Sequence, residues 1–284
     1  MSGRETVGFV GLGSMGGVLA SNLVRSGFDV VAYDALGPTR TPLGARWLPG
    51  PADMAQAAGT VVLSLPDGAA STEVFQDMAA AGDRRVTHVV DTSTIGVTTA
   101  RALDAVAGLA YVDAPVSGGV TGARDRTLMV MYAGTDENCA HVRPVLEGLS
   151  DRHRRVGVRP GQAQALKLAN NFLAATALAV TSEAVAFGQE AGLDMAVMLD
   201  VLNASSGRSA ASADKFPAEI LTGRYGAGFS NTLMAKDVRL YLREAGRLGS
   251  SATVAAVIEE LWEEFSVEEP GADFTRIYPF VAGG

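Results

Sequence analysis

Short apolar runs alternate with amphipathic stretches along the first half of the chain. The runs are rich in Val, Ile and Leu, and the stretches between them repeat apolar residues at helical spacing. Such alternation predicts an α/β domain with a largely parallel, doubly wound sheet. The predicted strands begin at Val7 and continue at 29–33, 61–65, 86–91, 111–113, 127–133 and 155–158, and the predicted helices are 14–26, 69–80, 97–107 and 135–149.

The pattern changes after Pro160 and Gly161, where strand signals stop and helical periodicity takes over. We therefore predict two domains, residues 1–160 with the sheet and residues 161–284 all helical, with a long helix at 162–192 joining them. The later helices are predicted at 195–203, 212–223, 233–248 and 253–267, and the tail at 270–284 has little helical signal.

Composition narrows the function classes. The net charge is −8 and the Lys and Arg residues are scattered, whereas a nucleic-acid surface needs a basic stripe. Cys139 is the single cysteine, so no disulfide forms within the chain, and a reducing compartment is expected. Met1–Glu5 has no apolar run typical of a signal peptide, and the apolar stretch Phe172–Val180 is shorter than the ~20 residues of a membrane span. A soluble, cytoplasmic protein with no membrane partner is expected.

The first predicted strand ends in a Gly-x-Gly-x-x-Gly turn that opens a helix. In a dinucleotide-binding unit, the first glycine permits the tight turn, the second lets the backbone approach a pyrophosphate, and the third lets helix and strand pack closely. Unpaired N–H groups at the helix start favour the phosphates. The alternative is a tight turn without a ligand. The turn comprises Gly11, Leu12, Gly13, Ser14, Met15 and Gly16.

Asp34 ends the next predicted strand, at the spacing from the glycine turn where a dinucleotide site places an acidic residue. A carboxylate there binds a ribose 2′-hydroxyl and repels a 2′-phosphate. NAD is therefore the expected cofactor, although Arg40 lies close enough in sequence to leave NADP open.

Two more loops follow strand ends and are expected to converge on the same site. Leu65 and Pro66 close the 61–65 run, where Pro66 stiffens a loop over the adenine–ribose side or simply ends the strand. Thr94 closes the segment Asp91–Thr94, whose hydroxyls either bond ribose or nicotinamide or cap the helix that starts near Val97.

Ser117, Gly118 and Gly119 follow the strand that ends at Asp113. A hydroxyl followed by two glycines exposes consecutive backbone N–H groups, which suits a carboxylate or an oxyanion. The alternative is a turn with no ligand.

Lys167 and Asn171 are four residues apart on the long helix and share one face. Their neighbours are apolar, so a lysine there is placed either to exchange a proton with a substrate oxygen or to extend its amine to solvent from a helix start. Metal chemistry finds little support, because His88, His141 and His153 are isolated and show no ligand spacing. A Gly-x-Ser-x-Gly nucleophile elbow is also absent from the sequence.

Five motifs in order resemble the β-hydroxyacid dehydrogenase family, especially 3-hydroxyisobutyrate dehydrogenase and tartronate semialdehyde reductase, and the similarity covers nearly the whole chain. They are Gly8–Gly16, Asp113–Gly119, Gly161–Asn171, Ser205–Arg208 and Leu233–Asp237.

The resemblance implies a Rossmann-type domain followed by a helical domain, with the active site in the cleft. It implies that Lys167 is the catalytic acid or base, that Asn171 helps to hold the substrate, and that Thr94 and Lys236 touch the cofactor. Ser117, Gly118 and Gly119 are then the grip on the substrate carboxylate. The implied reaction is hydride transfer between NAD(P) and the C3 hydroxyl of a small β-hydroxy acid, in a homodimer or homotetramer.

The chain departs from the family pattern at two positions. Ala163 replaces a glycine four residues before the lysine, and we expect its methyl near the cofactor or substrate entrance. Arg126 replaces a small residue, and its guanidinium either favours a more anionic substrate or is a surface charge on a turn.

Two other readings of the scaffold stay open. One is an imine reductase, a class that usually replaces the lysine at position 167. The other is a non-catalytic dinucleotide-binding scaffold, although proteins of that type lack the lysine and contain additional basic segments.

Overall fold

The computed structural model describes residues 5–283, so most of the Met1–Glu5 segment considered for a signal peptide lies outside the described residues. Contacts divide the chain into two compact units, Met1–Lys167 and Leu168–Gly284. The division falls after the boundary predicted at residue 160, since side chains at the start of the long helix are hydrogen-bonded within the first unit. One of them is Gln164, described below.

The first unit is built on one sheet, to which nine strands of the described range contribute. The strands are β1 Thr6–Val10, β2 Asp29–Tyr33, β3 Arg46–Trp47, β4 Thr60–Leu63, β5 His88–Asp91, β6 Ala110–Asp113, β7 Val116–Ser117, β8 Met129–Ala133 and β9 Arg152–Gly157.

The strand order is β3-β2-β1-β4-β5-β6-β8-β7, with β9 paired to β8. The six strands from β3 to β6 are parallel neighbours, in the order of a Rossmann domain. β8 runs antiparallel to β6 and β7 and parallel to β9. The order reverses at β1, so β2 and β4 flank it and a crevice is expected outside the carboxyl ends of β1 and β4. This confirms the predicted fold class.

Successive residues of the central strands face opposite sides of the sheet, and both sides are buried. On β4, for example, Val62 joins one apolar cluster and Val61 the other. Such strands read as continuous apolar runs because helices cover both faces. The helices of this unit are α1 Gly16–Arg25, α2 Pro51–Ala57, α3 Gly68–Ala80, α4 Val97–Asp104, α5 Gly119–Arg124 and α6 Asp136–Leu149.

Helices joined by loops make up the second unit, with one isolated β-bridge between Ser230 and Asp273 in its described range. Its core surrounds Trp262, Phe265 and Phe216. It begins within the helix α7 Gln162–Glu190, which spans the division between the units. The others are α8 Met195–Asn203, a π-helix Ala211–Ile220, α9 Asn231–Leu248, α10 Thr253–Glu268 and, after a 3-10 turn at Phe274–Arg276, α11 Ile277–Ala282.

The second unit differs from the sequence prediction in two details. The segment predicted as an α-helix at 212–223 is a π-helix that contains Pro217, a residue with no N–H to donate to the α-helical ladder. The tail, in which the sequence shows little helical signal, forms α11, whose first turn contains Pro279 at a position where helices tolerate proline.

The long helix predicted at 162–192 is confirmed as α7, and the apolar stretch Phe172–Val180 lies within it. Within residues 5–283 it is the one helix long and apolar enough to cross a membrane by length and composition, but core helices of soluble proteins meet the same criterion. Its most apolar window is 44% buried inside the protein. The helix leaves three large apolar side chains exposed, those of Leu173, Val180 and Phe187. Association with another chain would cover this surface, and the homo-oligomer stays a prediction.

Arg126 has a structural role in the first unit. Its guanidinium donates to the backbone oxygens of Gly148 (2.8 Å) and Glu147 (2.7 Å) at the end of α6, and to Asp151 Oδ1 (2.9 Å). These are carbonyls that a helix leaves unpaired at its C-terminus. The guanidinium therefore holds a turn and a helix end, and the structure gives no support for a contact with an anionic substrate.

We expect Arg126→Ala to lower the free energy of unfolding by about 1–2 kcal/mol, because the α6 carbonyls lose their charged donor. Thermal unfolding measures this, with Arg124→Ala, at an exposed position on the end of α5, as the matched control. An unchanged melting temperature together with an increased KM for the substrate would contradict the structural role.

Candidate functional site

The glycine turn lies at the switch point of the sheet, directly after β1. Gly11 has φ +91°, and a Cβ there would lie 2.3 Å from the Ser64 carbonyl oxygen after β4. Its N–H donates to the Tyr33 carbonyl at the end of β2 (2.9 Å). The first glycine is therefore required by both its conformation and its close neighbours.

The other two glycines of the turn differ from one another. A Cβ on Gly16 would lie 1.9 Å from the Gly11 carbonyl oxygen, so Gly16 allows α1 to pack on the turn. A Cβ on Gly13 would meet no atom within 4 Å. Packing within the protein does not require glycine at position 13, and the open space beside it fits a pyrophosphate that approaches the backbone.

The remaining residues of the turn divide between core and surface. Leu12 is buried in the apolar cluster beneath α1, and Met15 packs against the same cluster. Ser14 is exposed at the start of the turn that leads into α1. Leu12 and Met15 therefore contribute backbone rather than side chains to the open side of the turn.

Asp34 ties the end of β2 to the glycine turn. Its Oδ2 accepts a hydrogen bond from the Leu12 N–H (2.6 Å) and its Oδ1 accepts one from the Leu36 N–H (2.8 Å). An ionised carboxylate has about four acceptor sites, so two remain for further donors such as ribose hydroxyls. The Asp34 carboxylate thus holds the backbone of the glycine turn next to which it was predicted to bind the ribose.

The loop after β4 is joined to the loop after β5. β4 ends at Leu63, two residues before the predicted end, so Leu65 and Pro66 lie in the loop itself. The Leu65 N–H donates to Ser93 Oγ (2.8 Å), and Asp67 Oδ1 caps α3 by accepting from the Ala70 N–H (2.9 Å).

The segment after β5 is ordered by a buried carboxyl. Asp91 Oδ1 accepts from the Ser93 N–H (2.9 Å) and Oδ2 accepts from the Tyr111 hydroxyl (3.2 Å). Burial raises the pKa of Asp91, and its hydrogen bonds oppose that shift. Thr94 follows in this segment, half-buried. The N-cap residue of α4 is Gly96, which has no side chain, and Thr94 lies two residues before it.

Asp113, the last residue of β6, caps the long helix α7. Its fully buried carboxyl accepts through Oδ2 from the N–H groups of Gly161 (2.9 Å) and Gln164 (3.0 Å). Oδ1 has no hydrogen-bond partner within residues 5–283. Burial raises the pKa of Asp113 to about 7, against the opposing effect of the backbone hydrogen bonds.

The side chain of Gln164, which the sequence analysis did not single out, reaches the segment after β5. Its Oε1 accepts from the N–H groups of Ile95 (2.9 Å) and Gly96 (3.2 Å), and its Nε2 donates to the Ser93 carbonyl (3.0 Å). The sequence marks this residue only as a polar side chain one helical turn before Lys167, and its full burial is a finding of the structure.

Lys167 is buried, at 8% exposure, and is the last residue of the first unit. It lies one helical turn beyond Gln164, so the attachments to β5 and β6 fix the backbone that carries it. Ala163, by contrast, packs with Met131 and Ala133 of β8. The expectation that the Ala163 methyl lies at the cofactor or substrate entrance is therefore wrong.

Ser117 ends β7, and Gly118 and Gly119 lead directly into α5. Both glycines have positive φ, +135° and +68°, which few residues with a side chain adopt. A Cβ on Gly118 would also lie 3.3 Å from Leu128 Cα. The Ser-Gly-Gly segment is thus a strand-to-helix turn whose backbone requires glycine.

In the second unit, Asn171 and Lys236 are brought together through Asp237. Asn171 Nδ2 donates to Asp237 Oδ2 (2.6 Å), and Lys236 Nζ lies 3.0 Å from Asp237 Oδ1. Asn171 and Asp237 are buried, whereas Lys236 is partly exposed. Asp237 was not predicted as a site residue, yet it orients two residues that were.

A Rossmann-type sheet domain with its glycine turn at the switch point, followed by a helical unit, defines a class of nicotinamide-dependent oxidoreductases. Residues 6–157 match the family model described as the NAD binding domain of 6-phosphogluconate dehydrogenase. Residues 161–281 match the model described as NAD-binding of NADP-dependent 3-hydroxyisobutyrate dehydrogenase. The chain belongs to the 3-hydroxyisobutyrate dehydrogenase family.

Individual relatives align with this chain over almost the full length of both sequences. The mitochondrial 3-hydroxyisobutyrate dehydrogenase of Drosophila melanogaster is 32% identical, over 97% of this chain and 89% of the relative. The Pseudomonas aeruginosa enzyme is 33% identical, over 98% of each chain. The structure of Mycobacterium tuberculosis 3-hydroxyisobutyrate dehydrogenase with L-serine has a TM-score of 0.89 at 29% identity and covers 98% of this chain and 99% of that one. The protein is accordingly an NAD(P)-dependent oxidoreductase acting on CH–OH groups.

The contrast between Gly13 and Gly16 gives a direct test of the cofactor site. We expect Gly13→Ala to fold with an unchanged melting temperature but to weaken NADH binding about tenfold or more, because the added methyl fills space that the pyrophosphate needs. Gly16→Ala should instead lower the melting temperature, since its Cβ overlaps the Gly11 carbonyl. NADH fluorescence titration and thermal unfolding measure the two effects. Normal NADH affinity in Gly13→Ala would contradict the assignment.

Proposed function

We propose that this protein transfers a hydride between NAD(P) and the C3 hydroxyl of a small β-hydroxy acid, with Lys167 as general acid and base. The observation that carries the proposal is the attachment of the α7 start to the ends of β5 and β6. Asp113 and the side chain of Gln164 make that attachment, and from it we infer that Lys167, buried one helical turn further on, lies near these strand ends. Ligands of doubly wound sheets bind outside those ends.

The glycine turn and the start of α1 are the proposed pyrophosphate site, where Gly11, Gly13 and Gly16 shape the backbone. Asp34 is proposed to accept hydrogen bonds from the adenosine ribose. Leu65, Pro66 and Thr94, in loops at neighbouring strand ends, and Lys236 are proposed as further cofactor-binding residues. When bound, the nicotinamide ring accepts a hydride from the carbinol carbon in oxidation and returns it in reduction.

Lys167 is proposed to handle the proton of that reaction. In oxidation, the neutral amine takes the hydroxyl proton while the C3–H bond gives up its hydride, so the alcohol becomes a carbonyl and the amine becomes an ammonium. In reduction, the ammonium returns the proton to the carbonyl oxygen as the hydride arrives. A positioned acid or base of this kind contributes about 10²–10⁴-fold to the rate.

The substrate class follows from two proposed contacts. Ser117 and the backbone N–H groups at Gly118 and Gly119 are proposed to bind the carboxylate, and Asn171 is proposed to hold the hydroxyl-bearing end. A carboxylate and a C3 hydroxyl describe 3-hydroxyisobutyrate, 3-hydroxypropionate and serine alike. The M. tuberculosis relative, whose structure contains L-serine, supports this class.

We expect Lys167→Met to lower kcat about 10²–10⁴-fold against a panel of 3-hydroxy acids, because the proton acceptor is lost. Methionine keeps an apolar chain in a buried position. NADH affinity should stay within about twofold, since the proposed phosphate site lies on β1 and α1.

Lys215→Met is the matched control, because Lys215 lies over the Phe274 ring in the second unit and has no proposed role in the reaction. Turnover is followed by NADH absorbance. Full activity in Lys167→Met would contradict the assignment, and a joint loss of NADH binding and melting temperature would show a structural role for the lysine instead.

We also propose that NAD is preferred over NADP, because Asp34 repels a 2′-phosphate. The wild type should show a kcat/KM for NAD about tenfold or more above that for NADP. Asp34→Asn should narrow the ratio, since its amide oxygen still accepts the Leu12 N–H while the charge is gone. An NADP preference in the wild type would contradict the proposal and would point to exposed Arg40 instead.

A further inference from the structure

We infer that Gln164 is a positioning residue for hydride transfer, which sets the location of Lys167 relative to the segment that contains Thr94. The inference rests on the proposed role of Lys167. It concerns a side chain that is fully buried and forms three hydrogen bonds to the loop after β5.

The side chain of Gln164 forms hydrogen bonds to residues before and after Thr94 in the sequence. The amide accepts from the backbone of Ile95 and Gly96 and donates to the backbone of Ser93. Thr94 therefore lies between backbone groups that one side chain holds. Lys167 follows Gln164 by three residues, so the two side chains are neighbours on the helix surface. A single side chain thus links the segment of the proposed cofactor contact, Thr94, to the helical turn that carries the proposed proton carrier, Lys167.

Glutamine is suited to this position by its chemistry. Its amide presents an acceptor to two N–H groups and a donor to one carbonyl at the same time. Leucine would leave all three backbone groups without their partner in a buried site. Glutamate would lose the donor and place a carboxylate against the Ser93 carbonyl.

The role is separable from holding the helix. The start of α7 is attached independently by Asp113, which accepts from the N–H groups of Gly161 and Gln164. Those bonds involve the backbone of Gln164 and survive any change of its side chain. Removing the amide should therefore leave α7 in place while freeing the Thr94 segment to move relative to Lys167. A misplacement of about 1 Å in a reacting assembly can lower the rate about 10²-fold.

The chain offers a matched control on the same helical turn. Gln162 is exposed, and its Oε1 accepts from the N–H groups of Val158 (2.7 Å) and Arg159 (2.9 Å). Gln162→Leu therefore removes a glutamine that also bonds two backbone groups but does not reach the Thr94 segment. Comparison with Gln164→Leu separates positioning from the general loss of a helix-start hydrogen bond.

We expect Gln164→Leu to lower kcat about 10–100-fold while KM for NAD changes less than about threefold. Gln162→Leu should keep kcat within about twofold. The distinguishing readout is the primary isotope effect on kcat with substrate deuterated at C3. Poor alignment slows the chemical step, so the isotope effect should rise in Gln164→Leu, whereas a merely unfolded fraction would lower kcat and leave it unchanged. NADH titration measures the fraction of competent sites.

Two results would overturn the inference. One is a kcat for Gln164→Leu equal to that of Gln162→Leu. The other is a loss of kcat that matches the loss of NADH-binding sites, with no change in the isotope effect. Lys167→Met is measured in parallel. If it stays active, the proposed function fails and the positioning role fails with it; if it is inactive while Gln164→Leu is normal, only the positioning role fails.

Discussion

The attachment of the α7 start to the ends of β5 and β6 is the interaction on which the site depends. The helix α7 begins in the first unit and continues into the second. Its first turn has to be held in place if the residues on it are to have defined positions. Two side chains do this by different means. The Asp113 carboxyl caps the free N–H groups of the helix, and the Gln164 amide bonds the neighbouring loop.

Both anchors are buried polar groups, which is costly unless they are hydrogen-bonded. Gln164 is satisfied at both ends of its amide. Asp113 is not, because one carboxyl oxygen has no partner in the described part of the chain and burial raises its pKa to about 7. The chain thus retains a buried carboxyl whose ionisation is disfavoured, at the start of the helix that carries the proposed catalytic lysine. An apolar residue at position 113 would leave helix N–H groups unpaired.

Much of the fold could be predicted from the sequence because its central strands are buried on both faces and read as apolar runs. The glycine turn was recognisable because each position needs glycine for a different reason. Gly11 has a positive φ, Gly16 lies in close contact with the backbone of Gly11, and Gly13 borders open space that the proposed pyrophosphate site requires. What was missed lacked such a pattern. β3 has two exposed residues at an edge, and α2 begins with Pro51 after Gly50, a pairing that resembles a break.

The sequence pointed to candidate site residues only where they stand in a short local motif. Lys167, Asn171 and the Ser117–Gly119 segment stand in short recognisable sequences. Gln164 and Asp237 act through residues far away in the chain, so their roles depend on contacts that spacing along one element does not reveal. Arg126 is a further case in which the sequence does not reveal the contacts. Its charge was compatible with an anionic substrate, but the structure shows that it donates to the carbonyls at the end of α6.

Amide hydrogen exchange tests the central attachment most directly, because it reports on the N–H groups that Gln164 holds. We expect the amides of Ile95 and Gly96, in a loop outside any strand, to exchange as slowly as those of β4 and β5 in the ligand-free protein. Exchange of these two amides as fast as at the exposed turn residues Gly82 and Asp83 would contradict it.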